Sequence, residues 1–194
     1  MSYIDQTIFS EEMPYYRTPI RDMTIGTELV GHTLILYGRK SQKERFLPPI
    51  AKGNSIFYQG FSEPSSGSDL SSLRTSAVKD GDIYIINGSK IWTSRAHQST
   101  HYYLMTRTDP DAPTHKGISI FIVDLKTAGI PVKPPGNMFG VHYFNEIFFD
   151  DIKISSQNMI GKENEGWYIA AKSLDFERSE ASRFATNKRN LEEI

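Results

Sequence analysis

The chain has 194 residues, 38% hydrophobic and 23% charged, with 22 Lys and Arg against 23 Asp and Glu. This composition is typical of one or two ordinary globular domains, and the balanced charge offers no basic surface for nucleic acid or an anionic membrane. The absence of cysteine excludes disulfides, thiolate metal sites and a cysteine nucleophile. No apolar run reaches membrane-spanning length and the start lacks a secretory signal pattern, so we expect an intracellular protein without a membrane segment.

The first 53 residues predict short helices. Residues 24–37 repeat apolar side chains at intervals of three and four, which is one helical face, and Gly38 follows as a C-terminal stop. A second helix is predicted to begin at Ser41, whose hydroxyl caps the first turn while Glu44 completes a capping box. Because proline lacks an N–H donor and restricts the residue before it, this helix should end before Pro48-Pro49.

Residues from about 55 to 160 change to a period of two, which predicts an antiparallel β-barrel or sandwich. Asp80-Gly81 and Asn87-Gly88 are typical of two-residue hairpin turns, since glycine adopts positive φ without strain. The polar segment 109–117 is expected to be a surface loop. The predicted strands span residues 83–86, 101–107, 118–124, 130–133 and 144–149.

A helical pattern begins near residue 164 and continues to the last residues. Its stripe of apolar side chains comprises Trp167, Ala170, Ala171, Leu174, Ala181 and Ala185. The stripe reaches the end of the chain without a terminating signal, so we expect a helix that is cut rather than finished. The whole pattern predicts an α+β protein, with short helices, a β domain and a C-terminal helix.

Common catalytic and metal-binding signatures are missing. The sequence contains no G-x-G-x-x-G, no phosphate-binding P-loop and no G-x-S-x-G motif. His97 and His101 form an H-x-x-x-H pair, but they lie where a strand begins and have no third ligand nearby in the sequence. We therefore expect no metal site.

Two segments concentrate polar groups beside aromatic residues. Residues 61–70 combine hydroxyls, a glycine and backbone donors, which indicates either a tight turn or a nest for an anionic or carbonyl-bearing ligand. Residues 87–94 place Trp92 beside two hydroxyls. A tryptophan in this position is either a core residue or a platform for a cofactor.

Together these segments carry a resemblance to the acyl-CoA dehydrogenases, a family of flavoproteins. The resemblance implies an N-terminal helical domain, a middle β domain and a C-terminal four-helix bundle, with FAD between the middle domain and the bundles of two subunits. This chain would contain the end of the first domain (1–53), the middle domain (54–161) and the first bundle helix (162–194), as a fragment or as one of two polypeptides. The motifs that carry the resemblance occupy residues 37–50, 59–75, 87–94, 107–113, 144–151 and 164–167.

By position, the resemblance assigns cofactor-binding roles to one loop and one strand. Ser62 would meet the edge of the isoalloxazine, Trp92 would flank the ring, and Thr93 and Ser94 would lie near its N5 atom. Ser68 would also contact the acyl-CoA. The full set of implied cofactor-binding residues is Gln59, Phe61, Ser62, Gly67, Ser68, Trp92, Thr93 and Ser94.

The implied reaction needs a carboxylate base. Glu177 matches the position at which a subset of the family carries its catalytic glutamate, whereas other members place that residue in the bundle. Burial at the edge of an apolar helix face would raise the pKa of such a carboxyl toward neutrality. The alternative is that Glu177 pairs with Arg178 or with solvent. Asp175 and Arg178 match substrate-contacting positions.

The resemblance implies an FAD-dependent dehydrogenase that desaturates the α,β bond of an acyl-CoA and passes electrons to an electron-transfer flavoprotein. The complete form is expected to be a homo-oligomer in the bacterial cytoplasm or the mitochondrial matrix. Two alternatives remain open: an acyl-CoA oxidase of the same family, and a non-catalytic fragment or subunit. The length of the acyl chain is not readable from these residues.

Overall fold

The computed structural model describes residues 2–18, 23–126, 130–136, 138, 140–178 and 182–194, without the side chains of residues 3, 176–178, 182 and 183. The helices are α1 (Tyr3–Tyr15), α2 (Gly31–Tyr37), α3 (Lys40–Ala51), α4 (Gly166–Arg178) and α5 (Ser182–Glu192). The strands are β1 (Phe57–Gly60), β2 (Ser76–Asp80), β3 (Ile83–Ser94), β4 (His101–Arg107), β5 (Ile118–Asp124), β6 (Val132–Lys133), β7 (Phe144–Ser155) and β8 (Met159–Ile160).

Both predicted N-terminal helices are present, but their boundaries differ and a further helix precedes them. The helix expected over 24–37 is present, although its first half, Ile25–Val30, has π-helical winding before α2. α1 lies outside the predicted elements. Its first turn is fixed by a capping box in which Ser2 and Asp5 each accept a hydrogen bond from the other's backbone N–H.

Two predictions for α3 are wrong. The helix begins at Lys40, and the side chain of Gln42, not of Ser41, bonds back to the first turn by accepting from the Arg39 N–H at 2.9 Å. It also continues through Pro48-Pro49 to Ala51. Phe46 and Ile50 on its inner face are buried, and we attribute the continuation to this packing, which offsets two missing N–H donors.

The α+β prediction is confirmed, and the sheet is open, with the strand order β6-β7-β3-β2-β4-β5-β8. Most neighbours are antiparallel, as expected, but β1 and the first residue of β2 both pair with β4 in parallel. Aromatic rings from strands that are not hydrogen-bonded neighbours meet across the sheet, Tyr84 with Phe121 at 4.9 Å and Tyr102 with Phe149 at 6.3 Å between centroids. The sheet therefore curls around a core of its own.

The two predicted hairpin turns differ in outcome. The hairpin at Asp80-Gly81 is confirmed, although its two turn residues are Gly81 and Asp82, because Asp80 pairs with Ile83. The Asn87-Gly88 turn is wrong, because both residues lie inside β3, which pairs with β7 along its length. A register shift between Ile86 and Gly88 accommodates the positive φ of Gly88, +141°. Strands 101–107 and 118–124 are confirmed, 144–149 extends to Ser155, and 130–133 shortens to β6.

A second core lies between the sheet and the helices. Along β4, Tyr103 and Met105 face this helical side, while Tyr102 and Leu104 face the core inside the curled sheet. The Ser173 hydroxyl of α4 lies 2.6 Å from that of Thr33, so α4 and α2 are joined above the sheet. β1 and β4 contribute side chains to both cores and so lie between them.

The C-terminal segment is helical in α4 and in α5, as predicted, and residues 179–181 between them lie outside the described residues. Ala170 and Ala185 of the predicted stripe are buried, Ala171 is exposed, and Ala181 lies outside the described residues. α5 packs against α1, with the Tyr15 hydroxyl donating to Glu192 at 2.7 Å. Over the described part of the chain, no helix has both the length and the apolarity that a membrane crossing requires.

Candidate functional site

The structure brings the two predicted cofactor-binding segments together. The loop after β1 runs beside the end of β3, and the Ile91 N–H donates to the Ser62 carbonyl at 2.9 Å. The Thr93 hydroxyl donates to the Gln59 carbonyl at 3.4 Å. We call residues 59–75 the serine loop and residues 90–94 the tryptophan edge; their contact forms the candidate site.

The serine loop contains a tight turn, as one of the two sequence interpretations predicted. Glu63 and Ser66 exchange two backbone hydrogen bonds of 2.7 and 3.1 Å. The hydroxyls of Ser66 and Ser72 both donate to the Asp69 carbonyl at 2.8 Å. These bonds leave the tip, with Gly67 and Ser68, exposed to solvent.

A buried ion pair that the sequence analysis missed lies under the loop. Lys90 Nζ is 2.8 Å from Glu63 Oε1, with the side chains of Lys90 and Glu63 0% and 6% exposed. Burial lowers the pKa of Lys90 to about 8, partly offset by the attraction of Glu63. Burial also opposes ionisation of Glu63, but Lys90 and the hydrogen bonds to Thr75 and Arg74 outweigh it and lower the pKa of that carboxyl.

Trp92 lies at the surface, which rules out the core alternative for this residue. Trp92 is 57% exposed, and its backbone has a positive φ of +61°. A register shift between Lys90 and Thr93 inserts one extra residue opposite β7 and produces this bulge. Phe144 supports the indole edge-to-face at 5.8 Å between centroids.

The two hydroxyls after Trp92 have different surroundings. Thr93 is 4% exposed, and its hydroxyl bonds to the hydroxyl of Tyr102 inside the curled sheet. Burial raises the pKa of Tyr102. The Asn145 side chain donates to the Thr93 carbonyl at 3.0 Å, so this residue is held on both sides. Ser94 is half-buried and ends the strand.

Two further predicted residues, Phe61 and Gln59, differ in their surroundings: Phe61 packs in the core, whereas the side-chain oxygen of Gln59 is unpaired within the described part of the chain. Phe61 is buried, and its ring packs against Tyr103 at 5.7 Å between centroids. Gln59 Oε1 is buried and has no hydrogen-bond partner among the described residues. A buried acceptor without a donor is rare in proteins and is often satisfied by a ligand or water.

Arg107 connects the serine loop to the polar loop 109–117. Its guanidinium donates to the carbonyls of Ser71, Leu73 and Thr114 at 2.6, 3.3 and 2.6 Å. Arg107, Leu73 and Thr114 are among the residues that line a cleft of about 360 Å³ beside the loop. Burial lowers the pKa of Arg107, against the attraction of Glu63.

The histidines are distributed over separate environments. His97 and His142 stack at 3.8 Å between centroids, and both contact the Asn145 side-chain oxygen. His101 instead stacks on Phe57 at 4.9 Å. Over the described residues, no three His, Asp or Glu side chains gather in a way that could hold a metal ion.

The predicted base and substrate contacts lie in α4. Asp175 is exposed and forms an ion pair with Lys172 at 3.6 Å. Glu177 and Arg178 occupy the last turn of the helix, but their side chains lie outside the described residues. Their contribution to the site remains a prediction.

Family models match both main parts of the chain. The N-terminal domain of acyl-CoA dehydrogenase matches residues 1–54, and the middle domain matches residues 59–152, which includes the serine loop and the tryptophan edge.

Individual relatives and solved structures agree with this assignment. The acyl-CoA dehydrogenase FadE29 of Mycobacterium tuberculosis is 42% identical over 94% of this chain and 48% of its own length. A variant of the Tcur3481-Tcur3483 steroid ACAD superimposes with a TM-score of 0.91 at 34% identity, covering 100% of this chain and 50% of that one. The ChsE4-ChsE5 complex from Mycobacterium tuberculosis gives a TM-score of 0.80 at 38% identity, covering 91% and 45%.

The chain spans about half the length of the curated relatives that it matches. Across that half, the family models, the curated relatives and the solved structures all match this chain to the same family. The chain belongs to the acyl-CoA dehydrogenase family.

Proposed function

We propose that this chain provides the flavin- and acyl-CoA-binding platform of an FAD-dependent acyl-CoA dehydrogenase. The observation that carries the proposal is the contact between the serine loop and the tryptophan edge, in which the Ser62 carbonyl bonds to Ile91, the residue before the exposed Trp92. An exposed aromatic surface next to several hydroxyls and amides is suited to a flat heterocycle with polar edges.

The residues present fit an isoalloxazine ring. Gln59 Oε1 offers a buried acceptor that has no donor among the described residues, which suits a ring or ribityl group carrying N–H or O–H. Trp92 would flank the ring and exclude water from it, and Ser62 and Ser94 would hydrogen-bond its polar edge. The direction of the Thr93 hydroxyl into the core favours Ser94 over Thr93 for this contact.

The proposed reaction is the α,β-dehydrogenation of an acyl-CoA thioester. When bound, FAD supplies the acceptor for the hydride from the β-carbon. Glu177 would take the α-proton, and Ser68, Asp175 and Arg178 would contact the thioester substrate. A base on the last turn of α4 would approach the platform from the helical side, where Ser173 of the same helix contacts Thr33.

Electron-transfer flavoprotein is the proposed electron acceptor, and the complete enzyme is proposed to be an oligomer in the bacterial cytoplasm or the mitochondrial matrix. An acyl-CoA oxidase would share the same platform but would pass electrons to oxygen. The two are distinguished by exposing the substrate-reduced enzyme to air, since rapid reoxidation with release of peroxide would contradict the dehydrogenase.

A second candidate is a subunit of an enzyme built from two different polypeptides. It is favoured by the names of two matched structures, the Tcur3481-Tcur3483 steroid ACAD and the ChsE4-ChsE5 complex, each of which names a pair. A steroid-derived acyl group would accordingly be one substrate to test. In this case the chain would bind flavin only together with its partner.

The visible absorption spectrum of the purified chain, recorded after addition of FAD and desalting, tests the platform. We expect a retained flavin band that is lost in Trp92→Ala and kept in Tyr16→Ala, since Tyr16 is an exposed aromatic residue remote in sequence from the site. A colourless wild-type chain would contradict the platform as a self-sufficient site and favour the two-polypeptide candidate.

A further inference from the structure

The ion pair between Lys90 and Glu63 lies between the serine loop and the tryptophan edge, and the proposed reaction uses neither charge. Both side chains are almost completely buried. Removing two charges from water has a large desolvation penalty, and an apolar pair of similar volume is often as stable. Stability alone therefore does not explain why two charged residues occupy this position.

The carboxylate of Glu63 joins three segments of the chain. Oε1 accepts from Lys90 Nζ at 2.8 Å and from the Thr75 N–H at 2.8 Å, and Oε2 accepts from the Arg74 N–H at 2.7 Å. The beginning of the serine loop is thereby fixed to its end and to β3. Apolar side chains could fill the same volume but could not hold three donors in set directions.

The ammonium group of Lys90 fixes the residues on both sides of Ser62. Besides Glu63, it donates to the Phe61 carbonyl at 3.0 Å. The carbonyl of Ser62 accepts from Ile91, the residue next to Lys90. Three consecutive loop residues are thus bonded to two consecutive strand residues, immediately before the bulge that exposes Trp92.

We propose that Lys90 and Glu63 are positioning residues that fix Ser62 of the serine loop relative to Trp92, so that both can contact one flat ligand. This inference rests on the proposed function, since the ligand is the flavin of the platform. Contacts made by side chains on a loop are effective only when a supporting set of bonds holds them in place. The pair supplies that support across the gap between loop and strand.

Hydrogen–deuterium exchange of the chain without added flavin tests the positioning directly. The variants are Lys90→Met, Glu63→Gln and the double variant, with Lys40→Met as the matched control because Lys40 and Glu44 form an exposed ion pair at 3.9 Å. We expect protection at the amides of residues 63, 66, 74, 75 and 91 to fall about tenfold or more in both single variants. Amides of β4 and β5 should keep their protection, and the control should match wild type throughout.

Flavin binding provides the second readout. We expect FAD affinity, measured by quenching of flavin fluorescence, to fall about tenfold or more in each single variant. The double variant should lose less than the product of the two single losses, because the two residues act as one unit. A shift in the shape of the bound flavin spectrum in Glu63→Gln would report altered placement, which a purely stabilising pair would not produce.

The outcomes separate the two proposals. If the wild-type chain takes up no FAD, the proposed self-sufficient platform fails, and the exchange data alone decide whether the pair positions the loop. Exchange that is unchanged, or that accelerates equally in β4 and β5, would overturn the positioning role. Should either single variant fail to fold, the double variant decides the result through the same amides, because it leaves no unpaired charge in the interior.

Discussion

Thr93 and Ser94 are adjacent at the tryptophan edge but have different surroundings, because side chains alternate along a strand. Thr93 is directed into the curled sheet and bonds to Tyr102, whereas Ser94 remains half-buried at the strand end. A sequence motif assigns hydroxyls to both positions without distinguishing them. The pairing with β7 decides which hydroxyl is structural, and it leaves Ser94 as the better candidate for a ligand contact.

At the same scale, Glu63 should make the free energy of unfolding depend on pH in the acidic range. Because its pKa in the folded protein lies below the ordinary value of 4.5, the unfolded chain takes up a proton at higher pH than the folded one. The free energy of unfolding should therefore decrease as the pH falls below 4.5 and through the folded pKa. Urea unfolding at a series of pH values measures this dependence.

The matched comparison for this prediction is Glu63→Gln against Glu44→Gln, which removes an exposed carboxylate from α3. Glu63→Gln should be less stable near neutral pH and should show a shallower loss of stability in acid. Glu44→Gln should follow wild type. If the free energies of unfolding of wild type and Glu63→Gln fell in parallel with decreasing pH, this carboxylate would make no specific contribution to the pH dependence.

At the scale of elements, β3 depends on a glycine where its pairing with β7 shifts. A Cβ added to Gly88 would lie 2.7 Å from the Thr75 Cα, and its φ of +141° strains any other residue. We expect Gly88→Ala to lower the free energy of unfolding by about 2 kcal/mol or more. Chemical denaturation measures the change.

Gly81 is the appropriate control for this variant. It also has a positive φ, +59°, but a Cβ there would meet nothing within 4 Å. Gly81→Ala should therefore carry only the penalty of the left-handed conformation, about 1 kcal/mol. An equal decrease in the free energy of unfolding in the two variants would mean that the close approach to Thr75 adds no destabilisation.

At the scale of the whole molecule, one buried group of hydroxyls joins the helices to the sheet. The Ser173 hydroxyl contacts those of Thr33 and Tyr103 at 2.6 and 3.4 Å and donates to the Ile169 carbonyl. Removing this hydroxyl leaves buried polar partners without a bond. We expect Ser173→Ala to lower the free energy of unfolding by about 1–2 kcal/mol, measured by urea denaturation.

The control for Ser173→Ala is Ser41→Ala. Ser41 is exposed and does not cap α3, so its replacement should leave the denaturation midpoint nearly unchanged. If Ser41→Ala destabilised the protein as much as Ser173→Ala, the buried hydroxyl group would not be a specific link between α4 and the sheet.

The site was predicted in part. The motifs located the serine loop and the tryptophan edge, because the residues that contact one another there are grouped in short segments of the chain. The ion pair was missed, since Lys90 and Glu63 are 27 positions apart and a buried lysine has no local signature. The role of Glu177 stays a prediction, because its side chain lies outside the described residues.

The sequence by itself determined the family, the α+β class and the bounds of β4 and β5, because motif order and continuous apolar runs are properties of short segments. Tertiary structure alone decided that Asn87-Gly88 lies within a strand and that α3 continues through Pro48-Pro49. In both cases long-range contacts, the pairing with β7 and the burial of Phe46 and Ile50, are stronger than the local preference. A separate long-range contact, between the serine loop and β3, brings Glu63 to Lys90 and so builds the site.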